Sequence, residues 1–217
     1  MDLTHWMVFL QERACVMGVI PILIAWPALA AVVLPLVRSR KARAAVVYAA
    51  AAGMMLLAAV LLAAWLSAGK QTLFLAPESI YTNYLDLAML AGELVLMGLI
   101  IALSIRHRKY PVILLSAGQT LLVAWSEIFY PVEKTTHMRV DGLAMLLCII
   151  AAFVGGFICI YAVGYMKAYH EHHKEYKDRS GFFFSMLFLF LAAMFGLVLS
   201  ENLVWMYFFW EVTSVVS

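Results

Sequence analysis

Six unbroken apolar stretches, each about as long as a lipid bilayer is thick, limit what this chain can fold into. They cover residues 16–37, 44–68, 84–105, 110–130, 142–166 and 181–200. A seventh begins near Leu203 and is still apolar at Ser217. A helix needs about 20 apolar residues to cross the hydrocarbon core. The stretches lack a two-residue alternation, so helices are expected and barrel strands are not. Composition agrees: the chain is 65% apolar and 13% charged, with a mean hydropathy of +0.93. Soluble domains run at about 45–50% apolar and about 25% charged. A soluble enzyme, a disordered chain and a nucleic-acid module are therefore excluded as main readings. The expected fold class is all-α, a polytopic transmembrane helical bundle of about seven spans with the last one truncated. From Leu203 to Ser217 is 15 residues, roughly 22 Å of helix, against a core of about 30 Å. This predicts the N-terminal part of a longer polypeptide, or a truncated gene product.

The near-zero net charge of +2 hides an asymmetry. Arg38, Arg40, Lys41 and Arg43 separate the first two stretches, and Arg106, Arg108 and Lys109 separate the third and fourth. Lys167, Lys174, Lys177 and Arg179 separate the fifth and sixth. These eleven lie on one side, against Arg13, Lys70, Lys134 and Arg139 on the other. Cytoplasmic loops carry the excess of Lys and Arg. The N-terminus is therefore expected outside, with loops 38–43, 106–109 and 167–180 cytoplasmic, in a prokaryotic cell (inner) membrane. The first stretch is expected to be retained and not cleaved as a signal peptide. Its leader holds Asp2, Glu12 and Arg13, and the basic cluster follows the apolar run.

Charges at membrane depth carry the functional signal, because a carboxylate at the bilayer centre costs at least about 2.5–3.5 kcal/mol. Glu211 lies eight residues into the seventh stretch, roughly 12 Å from its end. Tyr207 and Ser214 share its helical face and would offer it hydrogen bonds. Such a carboxylate can load and release a proton. The competing reading is a polar contact that only holds helices together. Glu93 lies nine residues into the third stretch, roughly 14 Å deep, and its own helix offers no obvious partner. For Glu93 the functional and structural readings stand level.

Other polar groups read more simply. Asp86, Glu127, Asp141 and Glu201 lie near stretch ends, where carboxylates are solvated or cap helices. His170, Glu171, His172 and His173 miss the helical zinc spacing, since Lys174 stands where a second histidine would be needed. Cys148 and Cys159 are roughly 16 Å apart on one helix, so they cannot bridge each other. They read, like Cys15, as packing residues. The phenylalanines within 181–190 read as lipid-facing or packing. No metal, nucleotide or redox cofactor is expected.

The segment V-D-G-L-A-M-L (140–146) is followed by I-Y-A-V-G-Y-M (160–166) and by F-F-F-S-M-L-F-L-F-L-A-A-M-F-G-L-V-L-S-E-N-L-V-W-M-Y-F-F-W-E (182–211). This order resembles the antiporter-like, proton-translocating subunits of complex I, multisubunit Na+/H+ antiporters and energy-converting hydrogenases. The resemblance covers about a third of the chain and divides it into N-terminal spans (1–139) and the start of an antiporter-like domain (140–217). It implies that Glu211, next to Trp210, takes part in proton transfer beside a lysine beyond Ser217. It implies structural roles for Asp141 and Asn202. The third and fourth stretches look additional to the simplest family layout. After W-E the sequence V-T-S-V-V-S keeps only part of the family pattern.

The function implied is a non-redox membrane subunit that couples electron transfer in a complex I-like or hydrogenase-like complex to proton translocation. Its partners would be other membrane subunits, H+ or Na+, and the bilayer, with no nucleic acid. Two alternatives remain: a Na+/H+ antiporter subunit without a redox partner, and a non-conducting structural fragment.

Overall fold

A computed structural model describes the backbone of residues 3–74, 80–108, 110–129, 138–172 and 178–217. Side chains are described over the same residues except 3–17, 74, 80–88, 120, 123–124 and 126–128. In chain order the elements are α1 (Leu3–Val33), α2 (Arg40–Ser67), β1 (Leu73–Phe74), α3 (Ile80–Arg106) and α4 (Tyr110–Phe129). They continue with β2 (Arg139–Val140), α5 (Gly142–His172), α6 (Ser180–Leu199) and α7 (Leu203–Val216). A helix thus forms on each of the seven apolar stretches, and the protein is a multi-pass helical membrane protein. Among the described residues four helical segments are long and apolar enough to cross a membrane. They are Arg40–Ser67, Met89–Arg106, Gly142–His172 and Ser180–Leu199. This is fewer than the seven spans expected. One reason is that Gly18–Val33 and Leu203–Val216 are apolar but shorter than the roughly 20 residues a crossing needs.

The chain forms two compact units, Met1–Leu75 with Met138–Ser217, and Ala76–His137. The 139/140 boundary suggested by the motifs falls inside the first unit. In that unit α1 packs on α2 and α6, α2 on α5, and α5 on α6, which closes a ring of four helices. α7 packs against α6. The second unit holds α3 paired with α4. It interrupts the first unit between two strands that pair antiparallel, Leu73 opposite Val140 and Phe74 opposite Arg139. The chain therefore leaves and returns to the first unit at one point, as expected for an inserted segment.

Small residues let the ring close. A Cβ at Gly53 of α2 would run into the indole of Trp26 on α1, and one at Gly155 of α5 would meet Leu191 of α6. The same close approach lets Trp26 Nε1 donate to the Ala50 carbonyl at 3.0 Å. Without water, such a polar atom must find a protein partner. A second pairing repairs the backbone. Pro35 has no N–H to offer the carbonyl four residues back, that of Ala31. Ser185 of α6 donates its hydroxyl to that carbonyl at 2.5 Å, fully inside the bundle. Cys148 and Cys159 are both buried on α5, and Cys15 lies outside the described side chains. Of the phenylalanines in 181–190, Phe184 and Phe188 are buried, whereas Phe182 and Phe183 are exposed.

Candidate functional site

α7 is built to hold a carboxylate inside an apolar helix. Asn202 caps it, its Oδ1 accepting the Val204 N–H at 2.9 Å. Ahead of the cap, Met138 and Ser200 form an antiparallel bridge that anchors the α6–α7 turn beside β2. Further along, Phe209 lies buried over Gly196 of α6, where a Cβ would overlap its ring. These contacts set the rotation of α7. Glu211, eight residues in from Leu203 and roughly 12 Å along the axis, is half-buried. Tyr207, also half-buried, donates its hydroxyl to Glu211 Oε1 one turn away. Trp210 is exposed on the neighbouring face. Ser214 shares the helix but not the site. It is exposed, and its hydroxyl donates to the Trp210 carbonyl at 3.0 Å, the back-bonding that serines favour in helices. Thr213 does the same at 2.7 Å.

The remaining candidates are dispersed. Glu93 is half-buried on α3, in the other unit, and is not without a partner. Asp141 caps α5, accepting the Ala144 N–H at 2.8 Å, and pairs with Arg139 at 3.3 Å. Arg139 also reaches Glu201 at 3.8 Å. Asp141, Glu201 and Asn202 therefore hold one end of the first unit together. The side chains of Asp86 and Glu127 lie outside the described residues. His170 and His172 turn their Nδ1 atoms to the carbonyls of Met166 and Ala168, at 2.8 and 2.9 Å. His173, Lys174 and Lys177 lie outside the described residues.

At the opposite end of the unit, a polar cluster ties loop 38–43 to loop 167–180. Asp178 takes Arg40 Nε at 3.2 Å and Arg43 Nη1 at 3.4 Å, with His170 Nε2 at 3.4 Å. Ser180 donates both its N–H and its hydroxyl to Asp178. Arg43 also reaches Ser180 Oγ at 2.5 Å and the Val37 carbonyl at 3.0 Å. Burial works to raise the Asp178 pKa. The Ser180 hydrogen bonds, the Arg43 charge and the Arg40 hydrogen bond outweigh it and hold the carboxyl well below the usual carboxylate range. The sequence reading missed this cluster. The available signal was a lone aspartate in a basic loop whose parity puts it on the same side as Arg40 and Arg43.

The fold and these features define a multi-pass helical membrane protein that carries a half-buried, hydrogen-bonded carboxylate on an apolar helix. Residues 130–177 match the family model for the N-terminus of chain 5 of NADH-ubiquinone oxidoreductase (complex I). The match includes D-G-L and Y-x-x-G-Y-M and ends before α6, so Glu211 lies outside it. The chain is 36% identical over 80 residues to Na(+)/H(+) antiporter subunit A1 of Staphylococcus haemolyticus (strain JCSC1435). It is 35% identical over 80 residues to the subunit A1 of Staphylococcus aureus (strain JH9). Each alignment takes in 37% of this chain and only 9% of the relative. The matched stretches are thus similar to antiporter-like membrane subunits of the complex I superfamily, and the chain spans only a small part of the relatives it matches.

Proposed function

We propose that the protein is an ion-translocating subunit of a multisubunit complex in a bacterial cell membrane, and that Glu211 carries its proton. Residues 140–217 would begin the translocating domain, with the basic loops facing the cytoplasm. The observation that carries the reading is a half-buried carboxylate deep in an apolar helix, met by a tyrosine hydroxyl on the same helix. An embedded ionisable group is costly and belongs where it moves charge. Tyr207 can donate to the ionised carboxylate and accept from the protonated one, so it suits both states. The first reading couples this step to electron transfer. The second is Na+/H+ exchange with no redox partner, and the names of the Staphylococcus relatives favour it.

One experiment separates them. Glu211→Gln is placed in the complete complex in inverted vesicles, and proton uptake is followed with an electron donor and then with a sodium gradient alone. Loss of donor-driven uptake with intact assembly supports the coupled reading. Loss of sodium-driven exchange with no donor supports the antiporter reading. Unchanged transport with weakened assembly overturns both in favour of a scaffold.

A further inference from the structure

We infer that the basic end of the first unit, where α1 leaves the ring and α6 begins, binds the headgroup of an anionic phospholipid. The two elements meet backbone to backbone there. A Cβ on Gly181 would lie 3.2 Å from the Leu34 carbonyl oxygen and 3.4 Å from Arg43 Nε. Arg38 and Lys41 follow Leu34 by four and seven residues, and Arg179 precedes Gly181 by two, so all three lie at this end of the unit.

The cluster described above decides which cations are free. Asp178 is committed to Arg40 and Arg43, and Arg43 is sealed in, its side chain only 11% exposed. Glu171, on α5, is the other described acid at this end. Arg38, Lys41 and Arg179 are exposed and make no ion pair among the described residues. Exposed apolar side chains lie close to them in the sequence. Leu36 is 75% exposed next to Arg38, and Phe182 is 62% exposed on the first turn of α6. A ligand for this surface needs a negative head for the three cations and an apolar tail for Leu36 and Phe182. Guanidinium groups match a phosphodiester, and basic clusters beside helix ends attract anionic lipids. A zwitterionic lipid would bring its own cation into the cluster and fit worse.

The full chain, reconstituted in equimolar phosphatidylglycerol and phosphatidylcholine and then extracted in mild detergent, tests this by mass spectrometry of retained lipid. Phosphatidylglycerol should be enriched about fivefold or more. Combined Arg38→Gln, Lys41→Gln and Arg179→Gln should bring the ratio close to parity, while Lys70→Gln at the other end changes nothing. Equal retention of the two lipids by the unaltered protein overturns the inference, and that comparison decides even where the triple variant does not fold. An unchanged ratio in a folded triple variant, an equal loss in Lys70→Gln, or displacement of the lipid by excess inorganic phosphate also overturns it.

Discussion

Tyr207 and Glu211 are joined by a hydrogen bond within a single helix, hydroxyl to carboxylate, one turn apart on α7. Because the bond is internal, it survives any rigid movement of α7 against α6. Tyr207→Phe removes the donor and keeps the ring. A hydrogen bond to a charged group is worth about 1.5–3 kcal/mol, and half-exposure brings it nearer about 1 kcal/mol. Transport should therefore slow roughly fivefold with little change in melting temperature. Vesicle proton uptake and a thermal melt check this pair of outcomes, and an unaltered transport rate would remove Tyr207 from the site.

The Asp178 cluster makes a prediction about acid. A carboxyl whose folded-state pKa is depressed contributes stability that is fully present above its unfolded value of about 3.9. That contribution is lost as pH falls below that value toward the folded pKa. Asp178 is such a group. Melting temperature should thus fall as the pH drops below about 4, and the fall should be shallower in Asp178→Asn. At neutral pH that variant should melt about 2–4 °C lower, since partly exposed ion pairs are each worth less than about 1 kcal/mol. Melts from pH 3 to 7 in detergent measure both. Identical acid limbs in the two proteins contradict the assignment.

Ser185 and Pro35 form a compensating pair through the Ala31 carbonyl. Ser185→Ala leaves that buried oxygen without its donor, at a cost of about 1–3 kcal/mol. Pro35→Ala returns an N–H to the chain four residues after Ala31. The Ser185→Ala cost should accordingly shrink in the Pro35→Ala background. A double-mutant cycle on unfolding free energy reads the coupling. Strict additivity would mean that Ser185 is not serving the gap left by proline.

Some of this was legible in the sequence because it is local. Helix number follows from apolar length, and the Tyr207–Glu211 bond follows from a spacing of four. Asp141 sits where a cap is expected and accepts an N–H from the turn it starts, whereas at α7 the cap is Asn202 and not the neighbouring Glu201, which pairs with Arg139. What escaped depends on partners far along the chain. Nothing near Gly53 says that Trp26 will cover it, and nothing near Ser185 points to Ala31. Ser214 failed for a different reason. Spacing put it on the face of Glu211, but the carbonyl of its own helix was the nearer acceptor. The resemblance already set the third and fourth stretches apart as additional, but the pairing of α3 with α4 as a unit of their own, entered and left at the β1–β2 pair, depends on contacts that the sequence does not show.

Gly196 tests whether the seating of α7 matters to the carboxylate it carries. The Phe209 ring occupies the space a Cβ would need, and Phe209 lies two residues before Glu211. Gly196→Ala must displace either the ring or the whole of α7. Overpacking of this kind costs about 1–3 kcal/mol. Stability and transport should therefore fall together, unlike in Tyr207→Phe, where transport falls alone. Phe209→Leu, which frees the space above position 196, should restore much of both in the double variant. Measuring melting temperature and proton uptake across the four proteins separates the outcomes. If Gly196→Ala loses stability but transports normally, the α6–α7 contact supports the fold without positioning Glu211.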